Sequence, residues 1–176
     1  MLKRIIDITL ASLALLILVP LFLYVSIKVR KNLGSPIFFY QERPGKNAKL
    51  FKMIKFRSMK DAFDKEGNPL PDEKRITPFG HKLRSTTLDE MPQLINVLKG
   101  DMSIVGPRPQ MKEFLGHYTP HQMRRHEVKP GMTGLAQVSG RNHLSWEEKF
   151  DLDVQYVDTQ SILLDFKIMI KTVKVM

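Results

Sequence analysis

The sequence predicts an α/β protein that is mostly helical, with one short β-hairpin and a membrane helix at its N-terminus. Three observations lead to this fold class. Ile8–Ile27 is a run of twenty residues without a charge, about the length of helix that crosses a hydrocarbon core. Two runs of β-forming residues, Ile37–Gln41 and Leu50–Phe56, flank a Pro-Gly turn. Residues 145–148 match a capping box that starts a helix, and apolar residues recur at helical spacing in residues 162–176.

The chain is expected to contain a membrane segment, residues 1–33, and one compact domain, residues 34–176, which is long enough to bury a core. Its 28 Lys and Arg exceed its 18 Asp and Glu, so the net charge is +10. This charge favours an anionic partner, which the composition leaves open among nucleic acid, anionic lipid and a phosphorylated substrate. The absence of cysteine excludes a disulfide framework, thiolate zinc sites and cysteine nucleophiles, and it fits a reducing compartment.

The apolar N-terminal run has three interpretations. A cleaved signal peptide is disfavoured because no small-x-small cleavage site precedes the basic residues that follow the run. A spanning helix and a helix that enters and returns on the same face remain equally open from the residues alone, since both flanks are basic and the positive-inside rule gives no direction. Pro20 supplies a mechanism for a sharp bend, because proline removes one helical hydrogen bond.

The second arm of the predicted hairpin alternates apolar and basic residues, as a half-buried strand does. Its cations are either solvated or directed into an anion site. The two interpretations are balanced for Lys55 and Arg57, whereas Lys52 is more readily read as solvated.

The middle of the chain predicts short elements. Asp61–Arg75 is polar and rich in Gly and Pro, which indicates a surface excursion. Met111–Tyr118 and His121–Val128 predict two short helices, and Leu135–Val138 a short extended piece. The nearby His117, His121 and His126 do not form a firm metal-binding pattern, and a solvated helix face is the favoured interpretation.

Two helices are predicted at the C-terminus. Ser145 and Glu148 match a capping box, so a helix should run from there to about Val157. Residues 162–176 combine an apolar stripe with lysines at i, i+4 and i+7 (Lys167, Lys171 and Lys174). Such a helix either lies in a membrane interface or packs on the core, and both interpretations stay open.

Residues 83–110 carry the strongest functional signal, the adjacent carboxylates of Asp89 and Glu90. They could simply cap a helix: Thr87 begins a capping box, and Asp89 as N-cap would place Pro92 where no intrahelical donor is lost. The same place suits a phosphate, provided that a divalent cation offsets the acids. The two carboxylates offer a small number of hard oxygen ligands, which favours a Mg²⁺ ion that also binds phosphate oxygens. An aspartate can also attack phosphorus as a nucleophile. Arg108, between two prolines, is a rigidly held cation.

Three segments, FKMIKFRSM, ITPFGHKLRSTTLDEMPQLINVLKGDMSIVGPRP and KPGMTGLAQVSGR, closely resemble the bacterial sugar transferase family in content and order. The resemblance covers nearly the whole chain and points to the small, PglC-like monotopic phosphoglycosyl transferases. It implies a re-entrant membrane helix broken at proline, an α/β catalytic domain and interfacial helices on the cytoplasmic leaflet of the bacterial inner membrane. The family often has Ser-Pro at the break, whereas this chain has Val19-Pro20.

The resemblance also implies the reaction. A UDP-sugar gives its phosphosugar to polyprenol (undecaprenyl) phosphate and releases UMP. Asp89 would be the nucleophile that carries the phosphosugar, and Glu90 would help Asp89 to hold Mg²⁺. Arg108 would grip phosphate or the uridine end. Lys55, Arg84 and Arg141 would neutralise the diphosphate and the lipid phosphate. Arg57 is a further candidate for substrate binding, from its place in the basic strand.

The same resemblance suggests UDP-N,N′-diacetylbacillosamine as donor, a role in protein N-glycosylation, and pathway glycosyltransferases as possible partners, although no residue identifies the sugar. Two rival functions remain. A glycosyltransferase would release UDP instead of UMP. A basic membrane-tethered module would bind lipid or nucleic acid without catalysis, and the lack of exposed aromatic residues among the bases argues weakly against nucleic acid as its ligand.

Overall fold

A computed structural model describes residues 1–140 and 143–175. Helix α1, Leu2–Leu33, is long and apolar enough to cross a membrane by length and composition. It stays helical through Pro20, so the secondary structure is not interrupted at the expected bend. One lost hydrogen bond does not end a helix whose neighbouring turns remain paired and whose side chains are held by packing.

One face of α1 packs along the rest of the molecule from end to end. Near its start, the buried carboxylate of Asp7 accepts hydrogen bonds from Ser103 Oγ at 2.9 Å and from the backbone N–H of Ile104 at 3.0 Å. Farther along, Ala11 joins one core cluster, and the last turns join a second cluster together with the hairpin. The opposite face is apolar and exposed.

The predicted hairpin is confirmed. Strands β1, Phe38–Pro44, and β2, Leu50–Phe56, are antiparallel, with Phe38 opposite Phe56. The turn between them is a 3₁₀ turn at Lys46–Ala48. Buried Met53, Ile54 and Phe56 turn the hairpin toward the core, whereas Lys52 is exposed, as predicted.

Three short helices follow the hairpin. The polar excursion ends in α2, Asp72–Arg75, and the chain then forms α3, Pro78–Ser85, with Thr77 as its N-cap. Helix α4, Gln93–Lys99, packs against α1. After α4 the chain enters β3, Ser103–Val105, which pairs in parallel with β4, Gly131–Thr133, in a small second sheet that the sequence did not predict.

Three predictions for the following segment need correction. Residues 111–118 form a 3₁₀ turn at Lys112–His117, and the next predicted helix is reduced to α5, Pro120–Met123, followed by another 3₁₀ turn, Arg124–Glu127. The predicted extended piece at 135–138 is a helix, α6, Leu135–Ser139. Helical geometry places Leu135 and Val138 on one side, against the third core cluster.

The two C-terminal helices are confirmed. Helix α7, Trp146–Thr159, begins with the predicted capping box, and α8, Ile162–Val175, follows. Their contact includes Tyr156, whose hydroxyl donates to the backbone carbonyl of Val105 and lies 2.6 Å from Asp165. The fold class, mostly helical α/β with a hairpin, is therefore as predicted.

Candidate active site

The two acids lie in a 3₁₀ turn, Leu88–Glu90, and both are buried. Thr87 enters the turn with φ of 58° in the left-handed region and makes no side-chain capping bond. Helix α4 begins only after Pro92, which occupies its N-cap position. Both proposed capping registers were therefore wrong: the left-handed residue and the proline without an N–H end the turn before the helix starts.

Glu90 is held by two cations. Lys55 Nζ lies 2.8 Å from Glu90 Oε1, and the Arg108 guanidinium donates to the same oxygen at 2.6 Å and to Oε2 at 3.2 Å. Burial by itself would raise the pKa of Glu90, but Arg108 and Lys55 outweigh burial and lower that pKa to about 2. Glu90 is therefore a fixed carboxylate anion.

Asp89 has a different environment. Among the residues that the structure describes, no cation lies within ion-pair distance of its carboxylate. Burial is the main cause that raises the pKa of Asp89, and the charge of Glu90 adds to it, whereas Lys55 and Arg84 act in the opposite direction. A raised pKa makes a carboxylate more basic and a better nucleophile once it is ionised. The adjacent acids are thus distinguished by what surrounds them.

A buried asparagine brings Lys55 to the acids. Asn96 of α4 accepts a hydrogen bond from the backbone N–H of Ile54 at 2.9 Å and donates to the backbone carbonyl of Lys52 at 2.8 Å. These two bonds satisfy the free edge of β2 and fix the hairpin against α4. Lys55 follows directly, so its side chain reaches back over α4 to Glu90.

Arg84 and Arg57 line the other side of the acids. Arg84 Nε donates to Ser58 Oγ at 2.9 Å, and α3 approaches so closely that a Cβ on Gly80 would lie 1.9 Å from the Ser58 carbonyl oxygen. Arg57 is buried, donates hydrogen bonds to the carbonyls of Met59 and Ser35, and forms an ion pair with Asp61. Arg57 therefore holds neighbouring loops together.

Arg108 is positioned by a buried ion pair that the sequence reasoning missed. Arg125, which is 2% exposed, donates to the backbone carbonyl of Arg108 at 2.7 Å, to Asp153 Oδ2 at 2.6 Å and to the Tyr118 hydroxyl at 2.7 Å. One signal was available: Asp153 lies three residues after Phe150, on the face of α7 that the helical period directs inward. A charge on that face indicates a buried partner.

A cavity of about 1010 Å³ collects these groups. Its wall includes both acids, their cations and residues from the start of α7. This volume is at the upper end of the range for small-molecule sites, about 300–1,000 Å³. An acidic pair faced by several cations in such a cavity suits a divalent cation and a phosphorylated substrate.

The whole chain matches a family of known sequences. The model of the bacterial sugar transferase family covers residues 1–176. The chain belongs to the bacterial sugar transferase family. Its relatives include the uncharacterized sugar transferase EpsL of Bacillus subtilis, which is 53% identical over 98% of this chain and 86% of the relative.

Two bacterial sugar transferases with more specific names are also similar. The undecaprenyl-phosphate galactose phosphotransferase of Salmonella typhimurium is 39% identical over 99% of this chain, which spans 40% of that protein. The UDP-glucose:undecaprenyl-phosphate glucose-1-phosphate transferase of Xanthomonas campestris is 41% identical over 97% of this chain, which spans 37% of that protein. This chain spans less than half the length of each of these two longer relatives.

In this bacterial sugar transferase, six of the predicted site residues line the one cavity: Lys55, Arg57, Arg84, Asp89, Glu90 and Arg108. Arg141 lies outside the described residues. The predicted solvated histidine face is only partly correct, because His126 is buried while His117 and His121 are exposed. Within residues 1–140 and 143–175 no group of three His, Asp or Glu side chains could hold a metal.

Proposed function

We propose that this protein transfers a sugar 1-phosphate from a UDP-sugar to polyprenol phosphate and releases UMP, with Asp89 as the nucleophile. The observation that carries the proposal is the unequal environment of the two acids. Glu90 is tied to Lys55 and Arg108, whereas Asp89 has no ion pair among the described residues and lines the same cavity. The names of the Salmonella and Xanthomonas relatives describe this class of reaction.

The proposed reaction has two displacements. A carboxylate oxygen of Asp89 attacks the sugar-bearing phosphorus, a P–O bond to Asp89 forms, and the bridging P–O bond to UMP breaks. UMP leaves with the bridging oxygen. A phosphate oxygen of the polyprenol then attacks the same phosphorus, and the bond to Asp89 breaks. The product is a polyprenyl diphosphate-linked sugar, and Asp89 is regenerated.

The cations explain how two acids tolerate an anionic substrate. Lys55 and Arg108 neutralise Glu90, so the carboxylate that faces the diphosphate with an uncompensated charge is that of Asp89. Arg84 adds a charge that lowers the pKa of Asp89 and is placed to stabilise phosphate oxygens. The side chain of Arg108 is 44% exposed, so it has donors left for the substrate.

The acid pair fits Mg²⁺. Magnesium commonly binds through one or two carboxylates plus substrate phosphates and keeps several waters. The oxygens of Asp89 and one remaining lone-pair position on Glu90 Oε2 form such a set, because Oε1 already accepts from two cations. When bound there, Mg²⁺ would offset negative charge on the phosphates.

A lipid acceptor requires the site to lie at a membrane, and α1 supports this placement. The Arg4 guanidinium near one end donates to the carbonyls of Val97 and Leu98, and Leu33 at the other end packs beside Phe56. A spanning helix would leave one end about 30 Å away across the hydrocarbon. Contact of both ends with one domain therefore favours a monotopic helix. The cytoplasmic face of the bacterial inner membrane is the location that the family resemblance implies for it.

Helix α8 supplies a second membrane contact in this proposal. Its exposed surface combines an apolar row with neighbouring lysines, namely Leu163, Phe166, Ile170 and Val173 with Lys167, Lys171 and Lys174. A helix with this division lies in the interface, where its lysines meet anionic headgroups. The net charge of +10 favours the same leaflet.

The test uses the full chain in detergent micelles with a UDP-sugar and Mg²⁺ but no lipid. We expect one equivalent of UMP and a phosphosugar adduct that peptide mass spectrometry locates on Asp89. Asp89→Asn should abolish both, whereas Asp151→Asn, at an exposed position on α7, should leave both unchanged. EDTA should stop UMP release and added Mg²⁺ should restore it. Release of UDP, or full turnover by Asp89→Asn, would overturn the proposal.

The identity of the sugar stays a prediction. The names of two relatives mention galactose and glucose, whereas the resemblance suggests a diacetamido sugar and protein N-glycosylation. UMP release measured over a panel of UDP-sugars, including UDP-N,N′-diacetylbacillosamine, decides among them. Glycosyltransferases that extend the lipid-linked sugar are the expected consumers of the product.

A further inference from the structure

The cavity extends beyond the acid pair to the first turns of α7. Trp146, Lys149 and Asp153 are spaced i, i+3 and i+7, which places them on one face of the helix, and all three line the cavity. The Trp146 side chain is 50% exposed. Its ring is held from the protein side by Phe114 and Phe150, at centroid distances of 5.5 and 5.8 Å. The Lys149 ammonium lies over the same ring, 4.8 Å from its centroid. The structure thus presents a supported, half-exposed aromatic ring on the cavity wall, and a base that stacks on it replaces this lysine contact.

The same cavity has polar groups whose hydrogen-bonding capacity the described protein does not use. Arg43 Nε, Gln137 Oε1 and Asp153 Oδ1 are buried and make no hydrogen bond among the described residues. All three residues line this cavity. Buried polar atoms are paired in the great majority of cases, so unpaired ones on cavity-lining residues are candidates for bonds to a ligand. Because these atoms have almost no accessible surface, their side chains must turn toward the cavity to make such bonds.

The chemistry of these atoms indicates which part of a UDP-sugar would bind beside them. Two of the three, on Gln137 and Asp153, are acceptors, and a diphosphate at neutral pH offers only acceptors. The carboxylate of Asp153 also repels phosphate. The nucleoside of a UDP-sugar is uncharged, has a planar ring, and carries donors at uracil N3 and at the ribose hydroxyls. It therefore matches both the ring of Trp146 and the free acceptors.

We propose that this end of the cavity binds the nucleoside, with uracil stacked on Trp146 and with nucleoside donors bonded to Gln137 and Asp153. The assignment rests on the proposed function for the identity of the nucleotide. Arg108 joins the two ends: its side chain lies on Glu90, and its backbone carbonyl is held by Arg125, which also binds Asp153. Arg108 would thus lie between phosphates bound at the acid pair and a nucleoside bound at Trp146.

The chain offers a direct probe, because Trp146 is its single tryptophan. Titration of the full chain in micelles with UMP should quench its fluorescence saturably. Ribose 5-phosphate, which lacks the base, should cause no saturable quenching. This measurement requires no turnover, so it separates the subsite from the reaction. Quenching by UMP in a protein that releases no UMP from any UDP-sugar would support the subsite and refute the proposed function.

Hydrogen bonding is tested with altered ligands and one variant pair. The 2′-deoxy and N3-methyl analogues of UMP each remove one donor, and at least one should bind the unaltered protein about tenfold more weakly. Gln137→Leu should weaken UMP binding to a similar extent, whereas Gln155→Leu, at an exposed position of α7, should not. The ligand analogues keep the test decisive if Gln137→Leu fails to fold.

The result that would overturn the inference is also specific. If UMP competes with the UDP-sugar but leaves Trp146 fluorescence unchanged, and both analogues bind as tightly as UMP, the nucleoside binds elsewhere. In that case UMP release from the UDP-sugar would leave the proposed function standing.

Discussion

Replacing Arg125 with methionine tests the buried ion pair that positions Arg108. The change removes three hydrogen bonds and leaves the carboxylate of Asp153, which is 2% exposed, without its cation. Breaking one partner of a buried pair costs about 3–5 kcal/mol. Since 1 kcal/mol shifts Tm by about 2–4 °C in a protein of this size, Tm should fall by about 6–20 °C.

The assay is thermal unfolding of the full chain in micelles, with UMP release measured well below the Tm of the variant. Because the Arg108 carbonyl loses its donor, turnover should fall by about tenfold to a hundredfold even where the variant is folded. Arg124→Met is the matched control. Arg124 is the sequence neighbour, but its ion pairs with Asp158 and Glu127 are exposed, so Tm should change by no more than about 2–4 °C.

A double variant and the pH dependence of the loss of stability test the same reasoning. The double variant Arg125→Met/Asp153→Leu removes both charges and should regain at least half of the lost stability; a double variant less stable than Arg125→Met would contradict the ion-pair explanation. Burial already raises the pKa of Asp153 to about 6, against the effect of Arg125. Without Arg125 that pKa should rise further, so the native state retains a proton that the unfolded state releases. The loss of stability should therefore be larger at pH 8 than at pH 5.5.

Two other predictions concern buried polar groups outside the cavity. Burial, and then the charge of Arg125, lower the pKa of His126 from 6.5 to about 4, so the unfolded state binds the proton first as pH falls. The protein should lose about 2–3 kcal/mol between pH 8 and pH 4.5 through this group, and His126→Phe should remove that part of the pH dependence of Tm. Asp7→Ala removes the acceptor for Ser103 Oγ and for the Ile104 N–H, so it should lower the free energy of unfolding by about 1.5–3 kcal/mol. Asp151→Ala, at an exposed site, should not lower it. Equal Tm values for the two variants would exclude a role for Asp7 in docking α1.

Local patterns predicted those parts of the fold whose cause lies within a few residues. The hairpin, the capping box at Ser145 and the amphipathic helix at the C-terminus are set by alternation, by a side chain three residues away and by helical spacing. The helix at 135–139 was missed because five residues contain too little pattern, and its packing against α7 and α8 decides its conformation.

The sequence singled out residues that meet in one cavity, but it did not predict the hydrogen bonds and ion pairs that position them. The acid pair and Arg108 stood out in the sequence, and the structure brings them to one cavity. Asn96, which fixes the hairpin that carries Lys55, gave no signal, because its partners are backbone groups more than forty residues away. Arg125 itself gave no signal, since its partners come from three separate segments; the only indication of the ion pair was its partner Asp153 on the inward face of α7.

The sequence by itself determined the chemical groups available to this protein: two adjacent carboxylates, a set of cations, and an apolar helix that suits a membrane. Only the tertiary structure decided which acid is free. Glu90 becomes a fixed anion because Lys55, 35 residues before it, and Arg108, 18 residues after it, meet at its carboxylate. Burial and the charge of Lys55 are the largest influences on the pKa of Asp89, and burial, Arg108 and Lys55 are the largest on that of Glu90. The residues next to the acids in the sequence reveal neither the burial nor these distant partners.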